Sequence, residues 1–186
     1  MRVHVSAALL AVALSLAGCS AGDQAPAATP AAGSPVSTAA PAGSNAEDTA
    51  FGTDLLPLQK QAIQLAGLAP ARSSDADLVT LAKTIATGQQ GETDTVKVLL
   101  VQWNDGAGPP AAPGAPAAAP VARLESLQGR EFDTLWLQSM LGLHRATIDL
   151  TRAEISGGRN VDAQTLAKTI LATRQAQVEQ MQRMVG

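Results

Sequence analysis

The sequence has no tyrosine and only two phenylalanines and two tryptophans. Strands and sheet cores draw on β-branched and aromatic side chains, so a β-sandwich or barrel is a poor fit. Cysteine occurs once and histidine twice, which excludes a disulfide framework and a zinc-finger site built from one chain. Positive charge is short as well, with 13 Lys and Arg against 16 Asp and Glu and a net charge of -3. No basic surface is available to neutralise phosphates, so nucleic acid is excluded as a partner. A Gly-rich phosphate loop after a strand and a serine in a strand-turn-helix setting are missing too. What the chain does have is 46% hydrophobic residues, drawn mainly from Ala, Leu, Val, Ile and Met. Alanine and leucine lead the helix-propensity scale, and the expectation is an all-α protein.

The first 18 residues read as an export signal, with a basic start at Arg2 and an apolar run from Ala7 that ends in small residues. That run is shorter than the roughly 20 apolar residues a bilayer span needs. It ends in Leu16-Ala17-Gly18-Cys19, which resembles the bacterial lipobox. The resemblance implies that the Cys19 thiol is lipidated, becomes the first mature residue and anchors the chain on the extracytoplasmic face of the cell membrane. An ordinary secretory signal with a chance cysteine is the other reading. Lipidation would leave no thiol for catalysis or disulfides. Signal removal would also take Arg2 and His4, leaving His144 as the one imidazole. Residues 19–46 are nearly all Ala, Pro, Gly, Ser and Thr and cannot bury a core. They read as a tether with a root-mean-square reach of roughly 30 Å.

Residues 106–121 repeat that composition and split the rest into two halves, 47–105 and 122–186. The halves are related by an offset of 85: Leu81-Ala82-Lys83-Thr84-Ile85 recurs as Leu166-Ala167-Lys168-Thr169-Ile170, Phe51 falls on Trp136, Leu58 on Leu143 and Asp77 on Asp162. Each half has two apolar-periodic stretches around a polar break, Ala71 to Asp75 and Ser156 to Asn160. Each therefore reads as a helical hairpin. The stripes are Phe51, Leu55, Leu58, Ala62 and Leu65; Leu78, Leu81, Ile85, Val96, Leu99 and Trp103; Trp136, Met140, Leu143 and Leu150; and Ala163, Leu166, Ile170, Met181 and Met184. Two such hairpins cover each other as an antiparallel four-helix bundle. Pro57 is expected to bend the first helix or to mark its start.

The aligned halves resemble the bacterial domain of unknown function 305 family, a ferritin-like four-helix group of exported proteins. Its hairpins open on F-x-x-x-M-x-x-H-H-x-x-A, which here is Phe51, Leu55, Leu58, Gln59 and Ala62, then Trp136, Met140, Leu143, His144 and Thr147. The partner motif I-x-x-x-Q-x-x-E-[IV]-x-x-M appears as Ile85, Gln89, Glu92, Thr93 and Val96, then Ile170, Arg174, Gln177, Val178 and Met181. Three of four motif histidines are replaced. The resemblance implies the ferritin-like bundle and, for members with complete sets, copper handling in the envelope, a role that imidazoles and thioethers suit.

Met140 and His144 lie four residues apart on one helix face, with Met181 as a candidate from the last helix, so a soft Cu(I) site is one reading. The other makes Met140 and Met181 core filler and His144 a boundary residue with a satisfied hydrogen bond. Glu92 and Arg174 fall on apolar stripes and make a natural buried pair, a guanidinium standing where a metal would. Irregularity at Gly88 and Gly91 would instead turn Glu92 to solvent. Asp48, Asp54, Asp133, Asp149 and Glu154 read as a solvated acidic face rather than catalytic carboxylates. The expectation is a non-enzymatic, lipid-anchored envelope protein with a helical domain that binds an envelope protein or a small ligand. The alternative is an envelope copper binder with a reduced His/Met site.

Overall fold

The computed structural model describes residues 43–104 and 119–185. Cys19, the signal, almost all of the tether and most of the 106–121 linker lie outside the described residues. Those described form five helices and no strand: α1 (Ala46–Arg72), α2 (Ala76–Trp103), α3 (Ala119–Glu125), α4 (Gly129–Gly157) and α5 (Val161–Val185). None is long and apolar enough to cross a membrane.

The repeat is visible in the caps. Asp75 opens α2 by accepting from the backbone N–H of Asp77 and Leu78. At the equivalent place, Asn160 accepts from Asp162 and Ala163 at 3.1 and 3.0 Å. Each such side chain satisfies amide donors that the first turn leaves without partners. The preceding helices also close alike, Ser73 N–H on the Ala69 carbonyl and Gly158 N–H on that of Glu154. α1 pairs with α2, α4 with α5, and α1 with α4, while α2 and α5 stay farther apart. The bundle is therefore wider on one side, and there the spacing is bridged by a long side chain described below.

Three features depart from the expected layout. α1 begins at Ala46, well ahead of Pro57, with a capping box in which Asn45 and Asp48 satisfy each other's backbone N–H. It runs on through Pro57 and Pro70. An interior proline costs about 3 kcal/mol, and the buried face of α1, from Phe51 to Ala69, outweighs it. Second, the linker expected to reach residue 121 already turns helical at Ala119. α3 buries Leu124 fully in the core and ends before Gly129, whose φ of 58° suits glycine and starts α4 afresh. Arg72 secures this corner by donating to the Leu127 carbonyl at 3.2 Å. Third, Asp48 and Glu154 are not part of a solvated face: both are buried.

The core is two apolar clusters. One gathers Ala62, Leu65, Leu78, Ile85, Leu124, Phe132, Trp136, Met140 and Met181 at the end where α1 finishes and α4 begins. There the Trp136 indole N–H donates to the Leu65 carbonyl at 2.8 Å. The other gathers Phe51, Leu55, Val96, Leu99, Leu100, Ala163, Ala167 and Ile170 at the opposite end. Between them all four long helices place polar side chains.

Candidate functional site

That polar layer consists of Gln59 on α1, Gln89, Glu92 and Thr93 on α2, His144 and Thr147 on α4, and Arg174 and Gln177 on α5. Each falls on the inward stripe of its helix, so the layer follows from the same periodicity that builds the apolar clusters. Buried polar groups are tolerable only when paired, and six of these, from Thr93 to His144, form one chain of contacts, while Thr147 donates to the Leu143 carbonyl of its own helix at 2.9 Å. Thr93 donates through its hydroxyl to Gln59 Oε1 at 2.8 Å, and Gln59 Nε2 donates to Glu92 Oε2 at 2.9 Å. Arg174 donates through one terminal nitrogen to the same Glu92 oxygen and through the other to Gln177 Oε1 at 3.3 Å. Gln177 Oε1 lies 2.9 Å from His144 Nε2, and His144 Nδ1 lies 3.0 Å from the Met140 carbonyl.

The repeat is chemical as well as geometric. Gln59 and Glu92 stand 33 residues apart, as do His144 and Gln177. The offset of 85 superposes the first contact on the second and Gln89 on Arg174. Leu55 and Val96 likewise take the places of Met140 and Met181. The first half thus carries an apolar and amide version of what the second half carries as methionine, imidazole and guanidinium.

The structure joins Glu92 and Arg174 across the wide α2–α5 side. The Arg174 side chain is 1% exposed and that of Glu92 14%. Glu92 is turned neither wholly to solvent nor wholly inward, and Gly88 and Gly91 do not interrupt α2. Burial pushes the Arg174 pKa down and the Glu92 charge pushes it back up, with a net lowering. An arginine remains a cation through such a shift. Its Nε donates to no acceptor among the described residues.

His144 is 1% exposed, which corrects its expected place at the core boundary. Burial first, and the Arg174 charge second, push its pKa down to about 4, against the opposing hydrogen bonds of Gln177 and the Met140 carbonyl. The ring is therefore neutral at physiological pH and carries one N–H, while both of its nitrogens face oxygens. One nitrogen carries the N–H and the other keeps a lone pair, the tautomer setting which contact the ring donates. Antiparallel pairing carries the register along the hairpin: with His144 opposite Gln177, one turn along each helix brings Met140 opposite Met181. Both methionines are fully buried in one cluster. The three expected donors thus fall within one turn of each other on the facing stripes of α4 and α5. Groups of three or more His, Cys, Asp or Glu that could hold a metal are absent among the described residues.

A second polar cluster lies at the other end of α1. Asp48, fully buried, accepts from Asn45 N–H at 2.6 Å, Asn160 N–H at 2.9 Å and Arg159 N–H at 3.1 Å. Burial pushes its pKa up, but the backbone donors of Asn160, Asn45 and Arg159 together with Glu154 hold it below the ordinary value. Glu154 is 1% exposed, and neither of its oxygens receives an N–H or hydroxyl donor. Burial first, then the Asp48 contact and the charges of Asp48 and Glu47, push it up to about 8. The backbone amides decide which acid keeps the proton: they favour the ionised form of Asp48, and burial beside that charge leaves the proton on Glu154. A Cβ at residue 158 would collide with the Glu154 carboxyl and oblige it to shift. Of the other acids, Asp149 is exposed beside Arg152, Asp54 is half-buried, and Asp133, the repeat equivalent of Asp48, is half-buried with one oxygen unpartnered.

Sequence reasoning did not mark Gln59 or Gln177 as site residues or link Asp48 to Glu154. For the glutamines the usable signal was the offset of 85, which places Gln59 on His144 and Glu92 on Gln177.

Two repeated hairpins closed around a buried polar layer define a class of four-helix proteins. Within that class the chain belongs to the family described as domain of unknown function (DUF305), whose model matches residues 48–185. Solved structures agree in fold. A DUF305 fragment from Deinococcus radiodurans matches with a TM-score of 0.70 at 22% identity, covering 77% of this chain and 98% of that one. CopM in its Cu(I)-bound form matches with a TM-score of 0.67 at 22% identity over 74% and 94% of the two chains. A DUF305 protein from Streptomyces coelicolor, described as a candidate secreted protein, matches with a TM-score of 0.63 at 20% identity over 73% and 88%. No curated protein matches the chain.

Proposed function

We propose that this chain is a non-enzymatic bacterial envelope protein that holds one soft monovalent metal ion, with Cu(I) as the biological candidate, at Met140, His144 and Met181. The observation that carries the reading is the buried neutral imidazole of His144, which keeps a nitrogen lone pair on the inward stripe where Met140 and Met181 stand opposite each other. The residues fit a soft ion: two thioethers and an imidazole, with no carboxylate among the three. Bound there, such an ion would be a cargo held by neutral donors. His144 would supply a nitrogen lone pair, Met140 and Met181 would supply sulfur, and Gln177 would orient the ring. The copper- and silver-bound forms of CopM lend support, because a protein of similar fold was solved with these ions.

Competition titration of the purified chain with Ag(I) and Cu(I) tests the reading. Loss of partners outside the ligand set alone costs a metal site about 10- to 100-fold, so His144→Ala, Met140→Leu and Met181→Leu should each weaken binding at least about tenfold. Equal affinity in the wild type and the His144→Ala variant would remove the metal. One observation favours the remaining reading, an interaction module for an envelope protein or a small ligand: Arg174 already supplies a buried cation to the polar layer.

The proposal includes export and lipid anchoring at Cys19, which rest on the lipobox-like end of the signal; the description of the Streptomyces coelicolor relative as secreted supports the export alone. Cys19→Ala should move the protein from the membrane fraction to the soluble fraction with the domain still folded, since a lipid supplies the membrane affinity. Membrane retention of that variant with residues 2–18 uncleaved would show an uncleaved anchor instead.

A further inference from the structure

We infer that Arg174 is a specificity-determining residue, which restricts the Met140, His144 and Met181 site to monovalent ions and disfavours divalent ones. The inference rests on the soft-metal reading above. It starts from one shared atom: the Arg174 guanidinium and the His144 ring both contact Gln177 Oε1. The positive charge therefore stands within two hydrogen-bond lengths of a ligand nitrogen. Its counter-charge, Glu92, sits on the far side on α2, held there by Gln59. The pair thus turns its positive end toward the metal donors, which are neutral and offset none of it.

Repulsion from a fixed charge scales with the charge of the incoming ion, and the 1%-exposed guanidinium acts through a medium that screens poorly. A divalent ion meets twice the penalty of a monovalent one. The fold also offers its own control, because the repeat-equivalent position on α2 is Gln89, a buried neutral amide. Arg174→Gln therefore installs a residue that the other hairpin already accommodates.

The test is a competition titration of the full chain with Ag(I) and, separately, Cu(II), for the wild type, Arg174→Gln, and Arg174→Gln combined with Glu92→Gln. The single variant leaves the Glu92 carboxylate without its cation. Where that prevents folding, the double variant, which removes both charges, carries the test. The preference for Ag(I) over Cu(II) is expected to fall at least about tenfold in the single variant and by a smaller factor in the double variant. A preference within about twofold of the wild type in every variant that folds overturns the role of Arg174 while leaving the metal reading intact. A wild type that binds Ag(I) no more tightly than His144→Ala overturns both.

Discussion

Arg174 and Glu154 are the two residues at which this core departs furthest from a hydrophobic one. For Arg174 the physical expectation is asymmetric. Arg174→Ala strands the Glu92 carboxylate in a mostly buried place and should cost about 3–5 kcal/mol, whereas replacing both residues by Leu or Met should be close to neutral or stabilising. A double-mutant cycle by urea unfolding measures this, and a coupling energy near zero would mean that the bridge contributes nothing. Glu154 predicts a pH dependence. Its folded pKa of about 8 lies above the ordinary 4.5, so the folded state keeps a proton that the unfolded chain releases between those values. Its contribution to stability is fully present below about pH 4.5 and is lost as pH rises toward 8. Asp48 works the opposite way, contributing above its ordinary 3.8 and losing that contribution as pH falls through its lowered folded value. Glu154→Gln keeps a donor toward Asp48 and abolishes the titration. The variant should gain on the wild type steadily from pH 5 to pH 8 in urea midpoint, and a pH-independent difference would contradict the shared proton. Neither acid was legible as buried. They stand 106 residues apart in sequence, on helices whose other acids are mostly solvated, and only tertiary contact joins them.

Among the elements, the four long helices and their pairing were readable because period and repeat agree. The stripes, the polar breaks and the offset of 85 all require two equivalent hairpins, and the equivalent caps Asp75 and Asn160 sit where that offset puts them. Pro57 does not mark the start of α1, because propensity is local while the burial that outweighs it is not. α3 escapes detection for a related reason: seven residues in an Ala/Pro-rich setting carry no periodicity, and Leu124 gains its meaning from the cluster it fills. Two expectations separate the linker from this helix. Shortening the segment between Asn104 and Ala119 to a Gly/Ser bridge that still spans the ends should leave the urea midpoint nearly unchanged, because loop closure varies slowly with length. Leu124→Ala should cost about 2–5 kcal/mol as a cavity in the core. A larger effect from the linker than from Leu124 would reverse this assignment.

On the scale of the whole molecule, the bundle is two apolar clusters separated by a polar layer, and the layer is where the two halves have diverged. The first half keeps Leu55, Gln59 and Val96 where the second has Met140, His144 and Met181, so any soft site is single and lies between α4 and α5. The identities of Met140, His144, Glu92 and Arg174 were readable from helical spacing. The contacts through Gln59 and Gln177 were not, because an amide on an apolar stripe does not reveal which neighbour it will meet. The central claim, that Met140, His144 and Met181 act together as soft donors, is tested most directly by NMR of the methionine ε-methyl groups and the His144 ring during Ag(I) addition to the folded chain. The account predicts that the Met140 and Met181 methyl signals and the His144 ring signals shift together and saturate at one equivalent. Signals of Met140, His144 and Met181 that stay fixed while Ag(I) is added in excess would contradict it.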